Sequence, residues 1–217
     1  MLAATQSIHP ESLALHLIDV YTVYFMSKST SERIAVATRR LLDREGARAV
    51  SIRRVAEAVG ITPMAIYRHY PDRAALLNAL ADSGFEELAG SLAKKRVTGS
   101  PEARLLRMME IYLHFSIENP RLFELMFLEK REGARRFPAD FGAGRSPTAN
   151  LVAEVIAEGM RSGVFRKDNV WEIVFSLGAL AHGLTLLYLG GRIDATPGRF
   201  RGLYRRSFRR FLDGLRP

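Results

Sequence analysis

The stretch Ile61–Leu80, ITPMAIYRHYPDRAALLNAL, contains two helix starts in close succession. Thr62 and Asp72 are residue types that cap helix N-termini by accepting a hydrogen bond from a backbone N–H. Pro63 suits the first helical position, where its missing N–H costs no hydrogen bond. The pattern therefore predicts a short helix from Thr62 to near Tyr70, followed by a second helix from Asp72.

The outward face of the short helix has an unusual composition. If Ile66 points to the core, a rotation of about 100° per residue places Met64 and Arg68 on the opposite side. Solvent-facing positions are more often lysine or glutamate than methionine. The strip is completed by residues that can make van der Waals contacts or hydrogen bonds: Thr62, Ala65, Tyr67 and His69.

The preceding segment, SIRRVAEAVG, predicts another short helix. Ser51 is its expected cap, and Gly60 supplies the left-handed residue that ends it. Its apolar residues recur at helical spacing: Ile52, Val55, Ala56 and Val59. Two short helices joined by a glycine turn are typical of the helix-turn-helix, whose second helix enters the DNA major groove. From periodicity alone, an ordinary helical corner with a few exposed apolar residues fits equally well.

The residues of this region resemble the tetracycline-repressor (TetR) family of bacterial regulators. The resemblance covers roughly Glu32–Leu80 and is carried by Ser51, Ala56, Gly60, Ile61, Thr62, Ala65, Ile66, Tyr67, Tyr70 and Arg73. It implies an all-α protein. A three-helix helix-turn-helix DNA-binding domain would be followed by an all-helical ligand-binding and dimerisation domain.

The resemblance also implies roles for single residues at a double-stranded operator. Ser51 and Arg73 would contact phosphates, and Arg53 a base edge or the backbone. The groove residues would be Thr62, Met64 and Ala65, while Tyr67 and His69 would hold the backbone. From its outward position, Arg68 can reach a guanine edge or a phosphate. The family often has lysine or glycine near Met64 and lysine near Pro71, which this chain lacks, so its base preference is not implied.

Flanking helices and domain limits follow from the same signals. A first helix is expected over Ser31–Gly46, capped by Ser31, with Ile34, Ala37 and Leu41 inward. The helix that starts at Asp72 is expected to reach about Arg96. The resulting domains are an N-terminal extension (1–27), a DNA-binding domain (28–81) and an effector-binding and dimerisation domain (82–217). Translation is expected to start at Met26, because proteins of the resembled family usually begin just before the first helix of this domain.

Composition agrees with a nucleic-acid partner without proving one. The chain has 217 residues and a formal net charge of +9, which favours a polyanion. Cysteine is absent, which excludes disulfides and thiolate metal sites. The arginines of the C-terminal tail, 192–217, are interpreted as the solvated face of a terminal helix rather than a second nucleic-acid surface.

Aromatic and methionine residues of the second domain suggest a cavity for a small apolar or aromatic effector. The candidates are Tyr112, Phe115, Phe123, Met126, Phe127, Trp171, Phe175 and His182. Plain core packing is the alternative for most of them. The glycine- and proline-rich stretch Arg131–Asn150 predicts a long loop that can gate such a cavity. The His-Gly at His182 also resembles one TetR subgroup.

Two other classes are less well supported. Asn169–Gly191 is nearly long enough to cross a bilayer, but Glu172 and His182 interrupt it, so burial in a dimer is preferred to a membrane span. His114 and Glu118 stand at i, i+4, yet no catalytic, metal or cofactor motif accompanies them. We therefore expect a cytoplasmic, homodimeric transcriptional regulator, most simply a repressor, with no cofactor and no enzyme activity. An activator, a DNA-associated ligand-binding protein or a small helical enzyme remain the alternatives.

Overall fold

The computed structural model describes residues 29–94 and 98–217, and these contain helices, turns and loops but no strands. The described residues form two compact units, which lie within Met1–Leu76 and Leu77–Pro217. The helices are α1 Thr30–Glu45, α2 Ile52–Val59, α3 Pro63–Tyr67, α4 Arg73–Lys94, α5 Pro101–Glu118, α6 Pro120–Phe127, α7 Ala139–Gly142, α8 Pro147–Arg161, α9 Val170–Leu189 and α10 Pro197–Asp213. The all-α fold class expected from the sequence is confirmed.

The first helix differs in detail from the sequence expectation. Its cap is Ser29 rather than Ser31, because Glu32 lies three residues after Ser29 and completes a capping box. The Ser29 N–H donates to the Glu32 carboxylate at 2.7 Å. The inward residue of the last turn is Leu42, which is fully buried, rather than Leu41. Both differences arise because neighbouring candidates fit the same helical period, and tertiary packing selects between them.

The next three helix starts agree with the sequence prediction. Ser51 accepts a hydrogen bond from the backbone N–H of Arg54, and Thr62 from that of Ala65, both at 3.3 Å. Asp72 accepts one from Ala75 at 2.7 Å. Each cap satisfies an N–H that lacks a partner within its helix.

The second unit is built around apolar faces of α4, α5, α6, α8, α9 and α10. Helix α4 buries one face, in which Leu77, Leu80, Ala81, Leu88 and Leu92 belong to this unit. The last helix buries Phe200, Tyr204 and Phe208, and it packs on α9 through stacked rings of Tyr188 and Phe200, with centroids 3.9 Å apart. Its arginines at 201, 205 and 209 are exposed, in line with an amphipathic helix.

The connection between α6 and α8 is shorter than predicted. A one-turn helix, Ala139–Gly142, interrupts it, and Pro147–Asn150 already belong to α8. Ser146 caps α8 and Pro147 occupies its first position, so local capping explains the earlier start. The expectations for the segment 1–27 and for the end of α4 near Arg96 lie outside the described residues.

Helix α9 is the most apolar element of the described chain. By length and composition it is the one described helix that can cross a membrane. Of its most apolar 18-residue stretch, 28% is buried within the chain. Phe175, Leu187 and Leu189 are among its exposed side chains. Helix α9 therefore exposes apolar side chains in the single chain.

Candidate nucleic-acid interface and ligand cavity

A glycine turn sets the direction of the short helix α3. Gly60 has φ +74°, a left-handed conformation that residues with a side chain rarely adopt. The N–H of Ile61 donates to the Ala56 carbonyl at 3.0 Å, which closes a Schellman-type end to α2. Arg33 of α1 donates to the Val59 carbonyl at 2.7 Å and neutralises the same helix terminus. The turn is therefore held by contacts from α1 as well as by its own backbone.

Helix α3 is anchored by one residue and exposes the rest of its length. Ile66 is completely buried, whereas Met64 is 67% exposed and Tyr67 is 47% exposed. Arg68 and His69 are also exposed, and Ala65 is half-buried. Two large apolar side chains in five helical residues are more than solvation requires, so the strip is a candidate contact surface.

The arginines of this unit fall into two groups. Arg54 is an internal brace, paired with Glu45 at 2.7 Å and with the Ala49 carbonyl at 3.2 Å. The hydrogen bond from Arg54 lowers the pKa of the Glu45 carboxyl. Arg53 and Arg68, by contrast, are exposed and make no hydrogen bond or ion pair within the described residues. These two guanidinium groups are therefore available to an external partner.

Arg73 holds the first unit together, a role that sequence reasoning did not identify. Its Nε donates to the Val50 carbonyl and its Nη2 to the Ala47 carbonyl, both at 2.6 Å. These carbonyls belong to the connection between α1 and α2. Arg73 thereby ties the start of α4 to the segment that leads into the helix-turn-helix. No local pattern reveals this contact, since its partners lie more than twenty positions earlier in the chain.

A cavity of about 410 Å³ lies within the second unit. Five of the predicted effector-site residues line it: Tyr112, Met126, Phe127, Phe175 and His182. Three others do not. Phe115 and Phe123 are buried in the surrounding core, and Trp171 lies elsewhere on α9. Phe123 supports the wall from behind, with its ring centroid 5.0 Å from that of Phe127.

Sequence reasoning missed much of the lining. Helices α4 and α5 contribute Phe85, Leu88, Leu92, Met108 and Met109. The α6–α8 connection contributes Phe137 and Phe141, and Phe137 stacks on Phe175 with centroids 4.4 Å apart. Helical periodicity places Leu88 and Leu92 on the inward face of α4, but an inward residue beside a cavity has the same helical period as one in a filled core.

His182 and Tyr112 are the polar pair in this wall. The Nδ1 atom of His182 is 2.7 Å from the Gly178 carbonyl oxygen and 3.2 Å from the Tyr112 hydroxyl. Burial lowers the pKa of His182 and raises that of Tyr112 well above its usual range. Both groups are therefore neutral at neutral pH.

The cations at the cavity are engaged by the protein itself. Arg131 donates to the Asn78 side chain at 2.8 Å and to the Leu125 carbonyl at 3.0 Å. Arg135 pairs with Asp82 at 3.2 Å and donates to the Arg145 carbonyl at 2.7 Å. The lining thus presents a mainly apolar surface with charges that are neutralised or hydrogen-bonded at its edge.

The histidine considered for catalysis stands apart from the cavity. His114 pairs with Glu118 at 3.1 Å, and both side chains are more than half exposed. Within residues 29–94 and 98–217, no group of three or more histidine, aspartate or glutamate side chains is arranged to hold a metal ion.

Comparisons with known proteins agree with both halves of the structure. Residues 34–80 match the family described as bacterial regulatory proteins, tetR family. Residues 105–215 match the Tetracyclin repressor-like C-terminal domain, which alone covers about half of the chain.

Individual relatives extend over most of the chain. It is 24% identical over 186 residues to an uncharacterized HTH-type transcriptional regulator, YobS, of Bacillus subtilis, covering 86% of this chain and 92% of that protein. A protein of unknown function from Rhodococcus sp. RHA1 has a similar structure, with a TM-score of 0.75 and 25% identity over 88% of this chain and 97% of the other.

A third comparison shows the fold alone. The transcriptional regulator FadR from Bacillus subtilis, solved in complex with stearoyl-CoA, superposes with a TM-score of 0.69 at 12% identity, over 85% of this chain and 99% of that one. Together with the exposed helix α3 and the glycine turn before it, the two family matches settle the assignment. The chain belongs to the TetR family of transcriptional regulators, with an N-terminal helix-turn-helix DNA-binding domain and a helical C-terminal domain.

Proposed function

We propose that this regulator is a cytoplasmic, ligand-responsive repressor that binds a pseudo-palindromic operator as a homodimer. The observation that carries the proposal is the exposed strip on α3, in which Met64, Tyr67 and Arg68 surround a single buried anchor, Ile66. A helix so short reads only a few base pairs, so two copies are needed for a specific site. We assign DNA binding to residues 28–81 and effector binding with dimerisation to 82–217.

The exposed strip divides by the chemistry of its side chains. Met64 and Ala65 offer apolar contacts that suit a thymine methyl group, and Arg68 suits the acceptor edge of guanine. Ser51, Thr62, Tyr67 and His69 carry hydroxyl or imidazole groups that suit phosphate oxygens. Arg53 is exposed in the first turn of α2 and can reach a base edge or the backbone. Arg73 is proposed to add a phosphate contact while it braces the α1–α2 connection.

Dimerisation is proposed through α9 together with α10. The exposed stripe of α9 includes Ala179, Gly183 and Leu187 at helical spacing. Helix α10 is fixed beside α9 by the Tyr188–Phe200 stack. A two-fold axis would pair this surface with its own copy and remove it from water, as an isologous interface does.

Footprinting on the DNA upstream of the gene tests this proposal. We expect protection of an inverted repeat whose half-sites are separated by about one helical turn or a small multiple of it. Light scattering of the same sample should give twice the monomer mass. A monomer at micromolar concentration with no protected region would refute the proposal.

The cavity of the second unit is the proposed effector site. Its lining is mainly apolar, and its size falls in the range of small-molecule sites. The structural neighbour FadR was solved with stearoyl-CoA, which supports a ligand-binding role for this type of domain. The same helix, α4, carries Phe85, Leu88 and Leu92 in the cavity wall and begins at Arg73. At 22 residues, α4 is about 33 Å long, so a ligand that tilts it would displace its ends.

We expect an apolar effector to weaken operator binding by roughly 5–150-fold. By thermodynamic linkage, operator DNA must weaken effector binding by the same factor. Calorimetric titration of the effector, with and without a saturating operator duplex, measures both sides of this cycle. Equal effector affinities in the two titrations would contradict the mechanism and leave the cavity without a regulatory role. Calorimetry is preferable to tryptophan fluorescence because Trp171 does not line the cavity.

A further inference from the structure

The protonation state of His182 follows from its partners. A carbonyl oxygen only accepts hydrogen bonds, so the 2.7 Å contact between Nδ1 and the Gly178 carbonyl requires the proton to lie on Nδ1. The pKa of His182 is lowered by burial, which keeps the ring neutral. In the neutral ring with a proton on Nδ1, Nε2 carries a lone pair and is a hydrogen-bond acceptor.

This acceptor is open to the cavity. His182 is part of the lining, and within the described residues its Nε2 has no hydrogen-bond partner. Among the described residues, several polar side-chain atoms are fully buried without a hydrogen-bond partner, and Nε2 is not one of them. It is unpaired but accessible. A ligand that carries a donor can therefore reach it.

Tyr112 lies at the other ring nitrogen of His182. Its hydroxyl oxygen is 3.2 Å from Nδ1. Because Nδ1 already carries a proton, the Tyr112 O–H cannot donate to it. The Tyr112 hydroxyl therefore accepts at the Nδ1 side of the ring, and Nε2, on the other side, is the acceptor that His182 can offer to the cavity. A hydroxyl group of a ligand satisfies Nε2 by donating its proton.

The remaining wall argues against an anionic group at this position. Phe127 meets the His182 ring edge-on with centroids 4.4 Å apart, and Phe123 lies behind it at 5.7 Å. A carboxylate here would face the lone pair of Nε2. The lining arginines, Arg131 and Arg135, already bind Asn78, Asp82 and backbone carbonyls. Glu129 adds a negative charge to the lining.

We propose that the effector is a neutral apolar molecule with a phenol or alcohol group, which donates a hydrogen bond to His182 Nε2. This inference rests on the proposed function of the cavity as the effector site. It narrows the effector class from any apolar molecule to one with a hydroxyl group at one end.

Calorimetric titration of the full chain with three matched probes tests the proposal. The probes are para-hexylphenol, its methyl ether para-hexylanisole, and para-hexylbenzoate. The ether keeps the shape and one acceptor oxygen but cannot donate. We expect the phenol to bind about tenfold more tightly than the ether, as one net hydrogen bond of about 1.4 kcal/mol provides, and more tightly than the benzoate.

Variants separate the hydrogen bond from the packing. His182→Phe should reduce phenol binding to the level of the ether and leave the ether unchanged. His182→Gln retains a side-chain acceptor and should restore part of the difference. Tyr112→Phe is the matched control, because it removes a hydroxyl at Nδ1 and should not change the ratio of phenol to ether binding. His182→Gln provides the second test if His182→Phe does not fold, which thermal unfolding will reveal.

The outcomes distinguish this inference from the proposed function. Equal binding of phenol and ether overturns the hydroxyl assignment and leaves the cavity as an effector site. Tightest binding by the benzoate overturns it in favour of an anionic effector. Absence of binding by all three probes overturns both the hydroxyl assignment and the effector role of the cavity.

Discussion

Gly183→Arg is expected to convert the dimer into a monomer and to weaken operator binding by about a thousandfold or more, since specific sites exceed non-specific DNA by at least this factor. Gly183 lies on the exposed side of α9, and a Cβ built on it meets no atom within 4 Å in the single chain. Arginine also favours a helix more than glycine does. The substitution should therefore not destabilise the single chain. A loss of dimerisation would then show that a partner helix packs at this position.

The measurement is light scattering together with an operator titration. A monomeric variant should have a mass near 24.3 kDa and an unchanged helical circular dichroism spectrum. Gly90→Arg is the matched control, because Gly90 lies in α4 and its Cβ likewise meets no atom within 4 Å. This control should remain a dimer. If Gly183→Arg also remains dimeric with full affinity, the interface does not include this face of α9.

Arg68→Ala and Arg53→Ala are expected to weaken operator binding by about 1–3 kcal/mol each, or roughly 5–150-fold, where the side chain reads a base edge. Both guanidinium groups are exposed and have no internal partner among the described residues, so truncation should leave thermal stability unchanged. On random duplexes the losses should be smaller, because only the charge is removed.

Arg73→Ala should behave differently from these two. It removes two hydrogen bonds to the carbonyls of Val50 and Ala47, so a lower midpoint of thermal unfolding is expected. Any phosphate contact is lost as well, which should weaken cognate and random DNA alike and lower the salt slope by roughly one.

Affinity titrations at several salt concentrations, on the operator and on a scrambled duplex, decide between these patterns. Arg161→Ala, at the exposed end of α8, is a charge-matched control that should change neither affinity nor stability. Equal losses on both duplexes for Arg53→Ala and Arg68→Ala would contradict base readout by either residue.

The sequence by itself determined the features that depend on neighbouring residues. Ser51, Thr62 and Asp72 cap helices through backbone groups three positions away, and Gly60 ends α2 through its own φ angle. Such interactions need no tertiary partner, so residue type and spacing predict them. The helix-turn-helix and its outward strip follow from the same local signals.

Tertiary structure decided what depends on distant segments. The partners of Arg73 and Arg54 are set by how the connection before α2 folds back, and no spacing rule encodes them. The period of a helix shows that Phe115, Phe123 and Leu88 point inward. Only the fit between helices decides that Leu88 borders a cavity while the two phenylalanines fill the core. A void forms where neighbouring helices cannot approach closely, and that distance is a property of the packed helices together rather than of any one segment.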